Sequence, residues 1–185
     1  ILYRLVGSEM CIRDSNNILI KIKIKSMNLY AAYGSNLNKA QMQKRCPRSK
    51  PYGAIILDEF RLVFKGVADI EKNKRYKIFL GIYKISQECE IALDGYEEFP
   101  NIYKKYYFNY VMNGKKQKFM YYAMNKSFDY AVPSKKYFNV IKKGFNDWGF
   151  DINNLIKSGL HSIEKNSSNG YRSANWYDQN FITKD

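Results

Sequence analysis

Cysteine and histidine are scarce in this chain of 185 residues, and their scarcity argues against several classes of site. The sequence has three cysteines and one histidine, His161, with no cluster at metal-ligand spacing. Neither a zinc site nor a disulfide framework is indicated, which fits a reducing compartment. A catalytic triad needs a base beside a nucleophile, whereas His161 stands alone in a poorly patterned region, where a surface or packing role is favoured. Acid–base chemistry is therefore left to a carboxylate or a tyrosine.

Long apolar segments and a secretory leader are also missing from the sequence. No apolar run approaches the roughly 20 residues that a membrane-spanning helix needs. No basic segment followed by an apolar one comes after Met27, as it would in a signal peptide. We therefore expect a soluble cytoplasmic protein without a membrane partner.

The first 26 residues are expected to lie outside the folded domain. Residues 5–15 read LVGSEMCIRDS, which resembles one reading frame of the transposase adapter used to build sequencing libraries. Eleven consecutive matches are hard to obtain by chance, so residues 1–15 are interpreted as an assembly scar. Residues 16–26 alternate isoleucine with lysine and could form a strand, but an untranslated leader read as protein is the favoured interpretation. The natural start is then Met27, and a chain of that length suits one domain.

Positive charge exceeds negative charge in the sequence. There are 31 Lys and Arg residues against 17 Asp and Glu; five of these bases and two of these acids lie in residues 1–26, which leaves a net charge of +11. That excess permits contact with nucleic acid or another anionic surface. The lysines are scattered in pairs rather than massed in one tract, so nucleic-acid binding is the less favoured alternative.

Apolar periodicity and turn residues predict a mixed set of strands and helices. Asn113-Gly114 is the strongest hairpin signal, Ser35 or Asn36 can cap the first helix, and Gly81 indicates a bulge or a close backbone approach. The order is not a regular βαβ alternation, so we expect an α+β fold with a small mixed or closed sheet. The expected strands are 29–33, 54–57, 61–64, 76–85, 103–112 and 117–124, the expected helices are 38–46, 87–98, 134–148 and 151–157, and a folded domain over 27–160 precedes a polar tail over 161–185.

Residues 30–37 place a β-like run directly before Gly34-Ser35-Asn36 and a helix. Several backbone N–H groups at such a turn can point at one spot, which suits an anion or a developing oxyanion. A capped turn without further function would have the same sequence pattern.

A second candidate is the acidic end of a later helix, LDGYEEFP at residues 93–100. Asp94, Glu97 and Glu98 could form a solvated helix terminus, but the helix macrodipole disfavours acids there. A carboxylate held against the dipole and near aromatic residues has a raised pKa, which suits a general acid or base.

Three segments together resemble the γ-glutamylcyclotransferases and the related AIG-two-like proteins: YAAYGSNL (30–37), LDGYE (93–97) and PSKKY (133–137). The resemblance spans about residues 27–160 and includes FRLVFKGVADI and IFLGIYKIS between the motifs. It implies a compact, barrel-like mixed sheet flanked by helices, with the substrate pocket built around the first loop.

By this resemblance, Glu97 matches the catalytic glutamate, and the substrate's γ-glutamyl part is lined by the first loop and by Tyr137. Tyr103 and Tyr122 fall where pocket tyrosines occur in the family, although ordinary packing explains them equally well. Relatives often carry glycine after the catalytic glutamate, where this chain has Glu98, so the choice between the two acids rests on the LDxxE spacing. The loop residues are Tyr30, Ala31, Ala32, Tyr33, Gly34, Ser35 and Asn36.

The activity that the resemblance implies is intramolecular aminolysis of a γ-glutamyl amino acid or γ-glutamyl amine, releasing 5-oxoproline and a free amine. Such an enzyme is an acyltransferase or a cyclising lyase. The substrate supplies its own α-amine as the nucleophile, so no metal or cofactor is expected, and the partner is a small molecule. A non-catalytic family member and a basic module that binds nucleic acid or another polyanion remain alternatives.

Overall fold

Five strands form one mixed sheet at the centre of the structure. A computed structural model describes residues 27–125, 127–167 and 169–176, so the predicted leader at 1–26 and the end of the predicted tail at 177–185 lie outside the described residues. The strands are β1 (Asn28–Ala32), β2 (Lys50–Phe64), β3 (Ala68–Ile85), β4 (Tyr103–Met112) and β5 (Lys115–Met124). Their order in the sheet is β2-β3-β1-β5-β4, with β1 parallel to β5 and all other neighbours antiparallel.

β1 is short, apolar and central, so its end lies in the middle of the molecule. Tyr30, Ala31 and Ala32 are each at most 3% exposed, as is usual for a strand with neighbours on both sides. The chain leaves the sheet after Ala32 and enters a 3-10 helix, Ser35–Leu37. The predicted strand at 29–33 is thereby confirmed to within one residue.

Four α-helices flank the sheet, and a side chain caps the first turn of each. They are α1 (Lys39–Arg45), α2 (Gln87–Tyr96), α3 (Lys135–Trp148) and α4 (Ile152–Glu164). The expected cap of α1 is wrong, because Ser35 and Asn36 are taken up by the 3-10 helix and Asn38 accepts the Gln41 N–H instead, at 3.0 Å. Within the described ranges, no helix is long and apolar enough to cross a membrane.

β2 is one long strand rather than the two that were predicted at 54–57 and 61–64. The pairing with β3 shifts register between Asp58 and Phe60. Glu59, between them, has a left-handed φ of 64°, so the extra residue is absorbed as a bulge and the strand continues. The polar residues Asp58 and Glu59, which separate the two predicted strands, lie at this bulge.

Gly81 marks a close approach and not a bulge. It keeps regular pairing with Ala32 and Ala54 on the two neighbouring strands. A Cβ at this position would lie 2.5 Å from the Trp148 ring. Glycine is therefore needed because the Trp148 ring at the end of α3 packs directly on the backbone of β3.

The β4–β5 hairpin is confirmed at its predicted turn, and the sheet that contains it is strongly curved. Asn113 and Gly114 have φ of 55° and 71°, as both central residues of a type I′ turn require. A Cβ on Gly53 of β2 would lie 2.3 Å from Met112 of β4, so the two edge strands approach each other. The curvature makes the sheet barrel-like. The mixed five-stranded sheet with its four helices confirms the predicted α+β class.

The C-terminal part folds further than the sequence pattern predicted. The helix expected to end at residue 157 continues to Glu164, and the division at 160/161 falls inside it. Gly159 lowers helix propensity, but packing compensates, since a Cβ there would lie 3.0 Å from the Phe138 ring. Beyond α4 the chain returns to the core, where Trp176 is 9% exposed.

Candidate active site

A pocket opens where β1 ends, and it brings all three sequence motifs together. In a short 3-10 helix the first N–H groups, here those of Ser35 and Asn36, have no acceptor within the helix. The C-terminal end of α2 and the first turn of α3 reach the same pocket. Nine of the eleven predicted site residues line it: Tyr30, Tyr33, Gly34, Ser35, Asn36, Glu97, Tyr103, Tyr122 and Tyr137.

Ala31 and Ala32 are the two predicted lining residues that do not reach the pocket wall. Both are at most 1% exposed and belong to the hydrophobic core. They lie inside β1, where successive side chains point to opposite faces of the sheet. The resemblance placed them in the site because they lie in sequence between Tyr30 and Tyr33, which both line the pocket.

Glu97 faces Asn36, whereas Glu98 turns toward the surface. Glu97 follows the last residue of α2, and its Oε1 accepts a hydrogen bond from Asn36 Nδ2 at 2.8 Å. Glu98 has a left-handed φ of 51°, a conformation that favours glycine. That turn separates the two carboxylates: Glu98 is exposed and accepts a hydrogen bond from Tyr171 at the rim.

The surroundings of Glu97 raise the pKa of its carboxyl group from 4.5 to about 7. Burial among aromatic side chains is the largest cause, and the nearby charge of Glu98 adds to it. The Arg45 charge and the Asn36 hydrogen bond favour the ionised form and act in the opposite direction. A carboxyl group with a pKa near neutral pH can both accept and donate a proton under ordinary conditions.

Three of the five predicted pocket tyrosines use their phenolic hydrogens within the protein. Tyr33 donates to the Tyr122 carbonyl oxygen and Tyr103 to the Ala68 carbonyl oxygen, both at 2.6 Å. Tyr122 donates to Asp94 Oδ1, also at 2.6 Å. These hydroxyl groups therefore brace the pocket wall.

Tyr30 and Tyr137 keep their phenolic hydrogens available. The Tyr30 hydroxyl oxygen accepts from Asn36 Nδ2 at 2.8 Å, and that of Tyr137 accepts from the Ala68 N–H at 3.2 Å. Neither contact uses the phenolic hydrogen. Burial raises the pKa of both phenols above 10, so each stays protonated and can donate to a ligand oxygen.

Gly34 brings the loop backbone close to the opposite wall. A Cβ at this position would lie 3.3 Å from the Tyr137 hydroxyl oxygen and 3.3 Å from the Ala68 Cβ. A side chain would thus crowd the space beside a candidate donor. The absence of a side chain therefore leaves the space beside the Tyr137 hydroxyl open.

Several lining residues were not predicted, among them Tyr96, which lies within the LDGYE motif, and residues of the C-terminal segment. Tyr96 links two walls: its hydroxyl lies 3.0 Å from Ser35 Oγ and accepts from Trp176 Nε1 at 2.6 Å. Tyr171 and Ser173 complete the C-terminal wall. The aromatic content of the predicted tail was the only sequence signal that could have pointed to Tyr171 and Trp176.

The described residues hold no group of three or more His, Cys, Asp and Glu side chains that could bind a metal ion. His161 lies on α4, away from this pocket, with its ring edge-on to Tyr130 at a centroid distance of 4.8 Å. The groups in the pocket that can take part in acid–base chemistry or hydrogen bonding to a ligand include Glu97, Asn36 and the phenols of Tyr30 and Tyr137.

Comparison with solved structures shows the same fold in other proteins. A gamma-glutamyl cyclotransferase aligns with a TM-score of 0.64 and 24% identity, over 81% of this chain and 95% of its own. An uncharacterised protein from Homo sapiens aligns with a TM-score of 0.64 and 24% identity, over 82% and 96% of the two chains. YkqA from Bacillus subtilis aligns with a TM-score of 0.65 and 18% identity, over 82% of this chain and 60% of YkqA.

No protein-family model and no curated protein matches the chain. At these identities the structural matches establish the fold. The compact mixed sheet that the motif resemblance implied is confirmed at that level.

Proposed function

We propose that this chain is a γ-glutamylcyclotransferase-type enzyme that converts a γ-glutamyl amino acid or γ-glutamyl amine into 5-oxoproline and a free amine. The observation that carries the proposal is the Glu97 carboxyl group, whose pKa is raised to about 7, held by Asn36 beside the loop that ends β1. The fold shared with a gamma-glutamyl cyclotransferase supports the same assignment.

The proposed reaction needs no group from the protein to bond covalently to the substrate. The substrate's α-amine attacks its own γ-carbonyl carbon, and a C–N bond closes the five-membered lactam. The bond from that carbon to the leaving nitrogen breaks, and the leaving nitrogen takes up two protons and departs as an ammonium group. The α-ammonium nitrogen supplies both, one before it attacks and one as it becomes the lactam N–H, so the atoms balance without water or a co-reactant.

Glu97 is the proposed proton carrier. Its ionised form accepts a proton from the α-ammonium group, and its protonated form then donates to the leaving nitrogen. A pKa near 7 suits both directions, and general acid–base catalysis of this kind contributes typically about 10²–10⁴-fold. Asn36 holds the carboxylate at 2.8 Å, which limits its motion between the two transfers.

The loop and the two available phenols are proposed to hold the folded-back substrate. The N–H groups of Ser35 and Asn36 and the hydroxyl groups of Tyr30 and Tyr137 are donors, which suit the α-carboxylate and the oxygen on which negative charge develops. A geometry that brings the amine to the carbonyl supplies much of the rate increase in such a reaction. The excess of positive charge on the chain favours approach of an anionic substrate.

The direct test is product formation by the full chain and by Glu97→Gln, with Glu88→Gln, an exposed glutamate on the helix that Glu97 follows, as a matched control. Each protein is incubated with a panel of γ-glutamyl amino acids and γ-glutamyl amines, and 5-oxoproline is measured by mass spectrometry. We expect product from the parent and the control, and a loss of at least about 100-fold in Glu97→Gln.

Glu98→Gln separates the two adjacent acids in the same assay. Equal activity of the parent and Glu97→Gln, together with loss in Glu98→Gln, would move the acid–base role to Glu98. Folded parent protein that yields no 5-oxoproline from any substrate would contradict the proposed activity and favour a binding role. A salt-dependent mobility shift on a polyanion then tests that role.

A further inference from the structure

Both N–H groups and the oxygen of the Asn36 side-chain amide form hydrogen bonds. Nδ2 donates one hydrogen to the Tyr30 hydroxyl oxygen at 2.8 Å and the other to Glu97 Oε1 at 2.8 Å. Oδ1 accepts from Arg45 Nη1 at 2.7 Å. The side chain of Arg45, from the last turn of α1, thus reaches the candidate acid through one intermediate residue.

The contact with Arg45 determines which way the Asn36 amide faces. A guanidinium group has five N–H donors and no acceptor, so the atom that it meets at 2.7 Å must be the amide oxygen. The NH₂ group then necessarily faces Tyr30 and Glu97. If the amide were rotated by 180°, Arg45 would face N–H groups and Glu97 would face an oxygen.

Arg45 is itself held in place from two sides. Its Nη2 lies 3.3 Å from Gln41 Oε1, one turn earlier on α1. Its guanidinium carbon lies 3.7 Å from the centroid of the Tyr96 ring, on α2, a stacked geometry that arginine adopts more readily than lysine. The donor that meets Asn36 is therefore fixed by both helices that border the site.

We propose that Arg45 is a positioning residue of the site, because its hydrogen bond to Asn36 Oδ1 keeps an N–H group, and not the amide oxygen, facing Glu97. The inference rests on the proposed function only for its catalytic consequence. The arrangement itself can be tested in the absence of any substrate.

The consequence concerns the proton on Glu97. An N–H group facing the carboxyl stabilises its ionised form, whereas an amide oxygen in the same place would stabilise its protonated form. The other titratable groups that act on Glu97 or are acted on by it are Glu98 and six tyrosines: Tyr30, Tyr33, Tyr96, Tyr103, Tyr122 and Tyr137. Burial is the largest cause that raises the pKa of each of these phenols, so they stay neutral. Arg45 is therefore the only positively charged group among those named.

The test is a titration of Glu97 by ¹³C NMR of the glutamate carboxyl carbons, with its resonance assigned by its loss in Glu97→Gln. We expect Arg45→Met to raise the pKa of Glu97 above its value in the parent. Lys44→Met removes the same charge from an exposed neighbour on α1 and is expected to leave that pKa unchanged. Arg45→Lys keeps the charge but replaces the planar guanidinium with one ammonium nitrogen, and its titration is expected to lie closer to that of the parent.

A double-mutant cycle separates action through Asn36 from a direct effect of the charge. If Arg45 acts through Asn36, Arg45→Met should shift the Glu97 titration much less in an Asn36→Ala background than in the parent. An unchanged titration in folded Arg45→Met, or an equal shift in both backgrounds, would overturn the proposal. Should Arg45→Met not fold, the same comparison is made with Arg45→Lys.

Activity provides a second readout in the proteins that make 5-oxoproline. Arg45→Met should lower kcat/KM at pH 7 by roughly 10-fold or more, and should move the pH at which kcat/KM reaches half of its maximum upward. Absence of 5-oxoproline formation in the parent would contradict the proposed function while leaving the NMR test of Arg45 intact.

Discussion

The pocket has two walls that are held in place in different ways. One is the segment 30–36, which continues from β1 and is fixed by the pairing of that strand with β3 and β5. The other is the segment 171–176, which lies outside the sheet and is held by individual hydrogen bonds and by packing of its aromatic rings. Tyr171 N–H donates to the Lys65 carbonyl oxygen at 2.8 Å, and Trp176 Nε1 donates to the Tyr96 hydroxyl at 2.6 Å.

This difference predicts different roles for the two walls. A segment that continues from a central strand is costly to displace, whereas one held by individual hydrogen bonds and ring contacts opens more readily. Groups that must be placed to within about half an ångström belong on rigid elements, and Asn36 and Tyr30 lie on the first wall. We expect changes in the first wall to lower kcat and changes in the second wall mainly to raise KM.

The largest effect is expected from Asn36→Ala. This change leaves the Tyr30 hydroxyl, the Glu97 carboxylate and Arg45 without their shared partner, and an unpaired buried polar group costs about 1–3 kcal/mol. We expect kcat for 5-oxoproline formation to fall by roughly 100-fold. Steady-state kinetics measure the rate, and denaturant unfolding measures the loss of stability.

Asn109→Ala is the matched control for this change, since Asn109 is an exposed asparagine on β4. It should leave both measurements as they are in the parent. If Asn36→Ala raised KM and left kcat intact, the rigid wall would serve only binding, and the distinction between the two walls would fail.

A smaller effect is expected from substitutions at Trp176. Trp176→Phe keeps an aromatic ring, although a smaller one, and removes the N–H donor to Tyr96; that hydrogen bond is worth about 0.5–1.5 kcal/mol, so KM should rise a few-fold. Trp176→Ala also removes the ring that packs against Tyr137 at a centroid distance of 5.0 Å, and KM should rise further. In both variants kcat should change less than in Asn36→Ala. A fall in kcat as large as that of Asn36→Ala would show that both walls position the reacting groups.

Local features of this fold were predictable where short-range chemistry determines them. The Asn113-Gly114 turn follows from its need for two left-handed residues, and Ser86 and Ser134 cap helices by accepting N–H groups three residues later. The first wall of the pocket was predictable for the same reason, since residues 33–36 and their turn lie within one short segment. Which residues of this wall line the pocket was not predictable, because whether the Ala31 and Ala32 side chains reach it depends on how the sheet packs against the rest of the molecule.

The second wall was not predictable, because local sequence patterns do not indicate a contact between residues that are 80 positions apart. The bond from Trp176 to Tyr96 and that from Tyr171 to Glu98 depend on how the chain returns after α4. Arg45 was missed for a related reason: at the end of a basic helix it reads as a solvated charge, and only the structure shows it against Asn36 and Tyr96. Glu98 was noted as a departure from glycine, and its φ of 51° shows that it adopts a conformation that favours glycine.

The most direct measurement of the central claim is the pH dependence of kcat/KM for 5-oxoproline formation by the full chain. Glu97 must be ionised to accept the proton of the α-ammonium group, so kcat/KM should rise with pH through an inflection at about 7. It should fall again where the substrate amine loses its own proton. A folded protein that forms no 5-oxoproline at any pH, or a profile that lacks an inflection between about 6 and 8, would contradict the account.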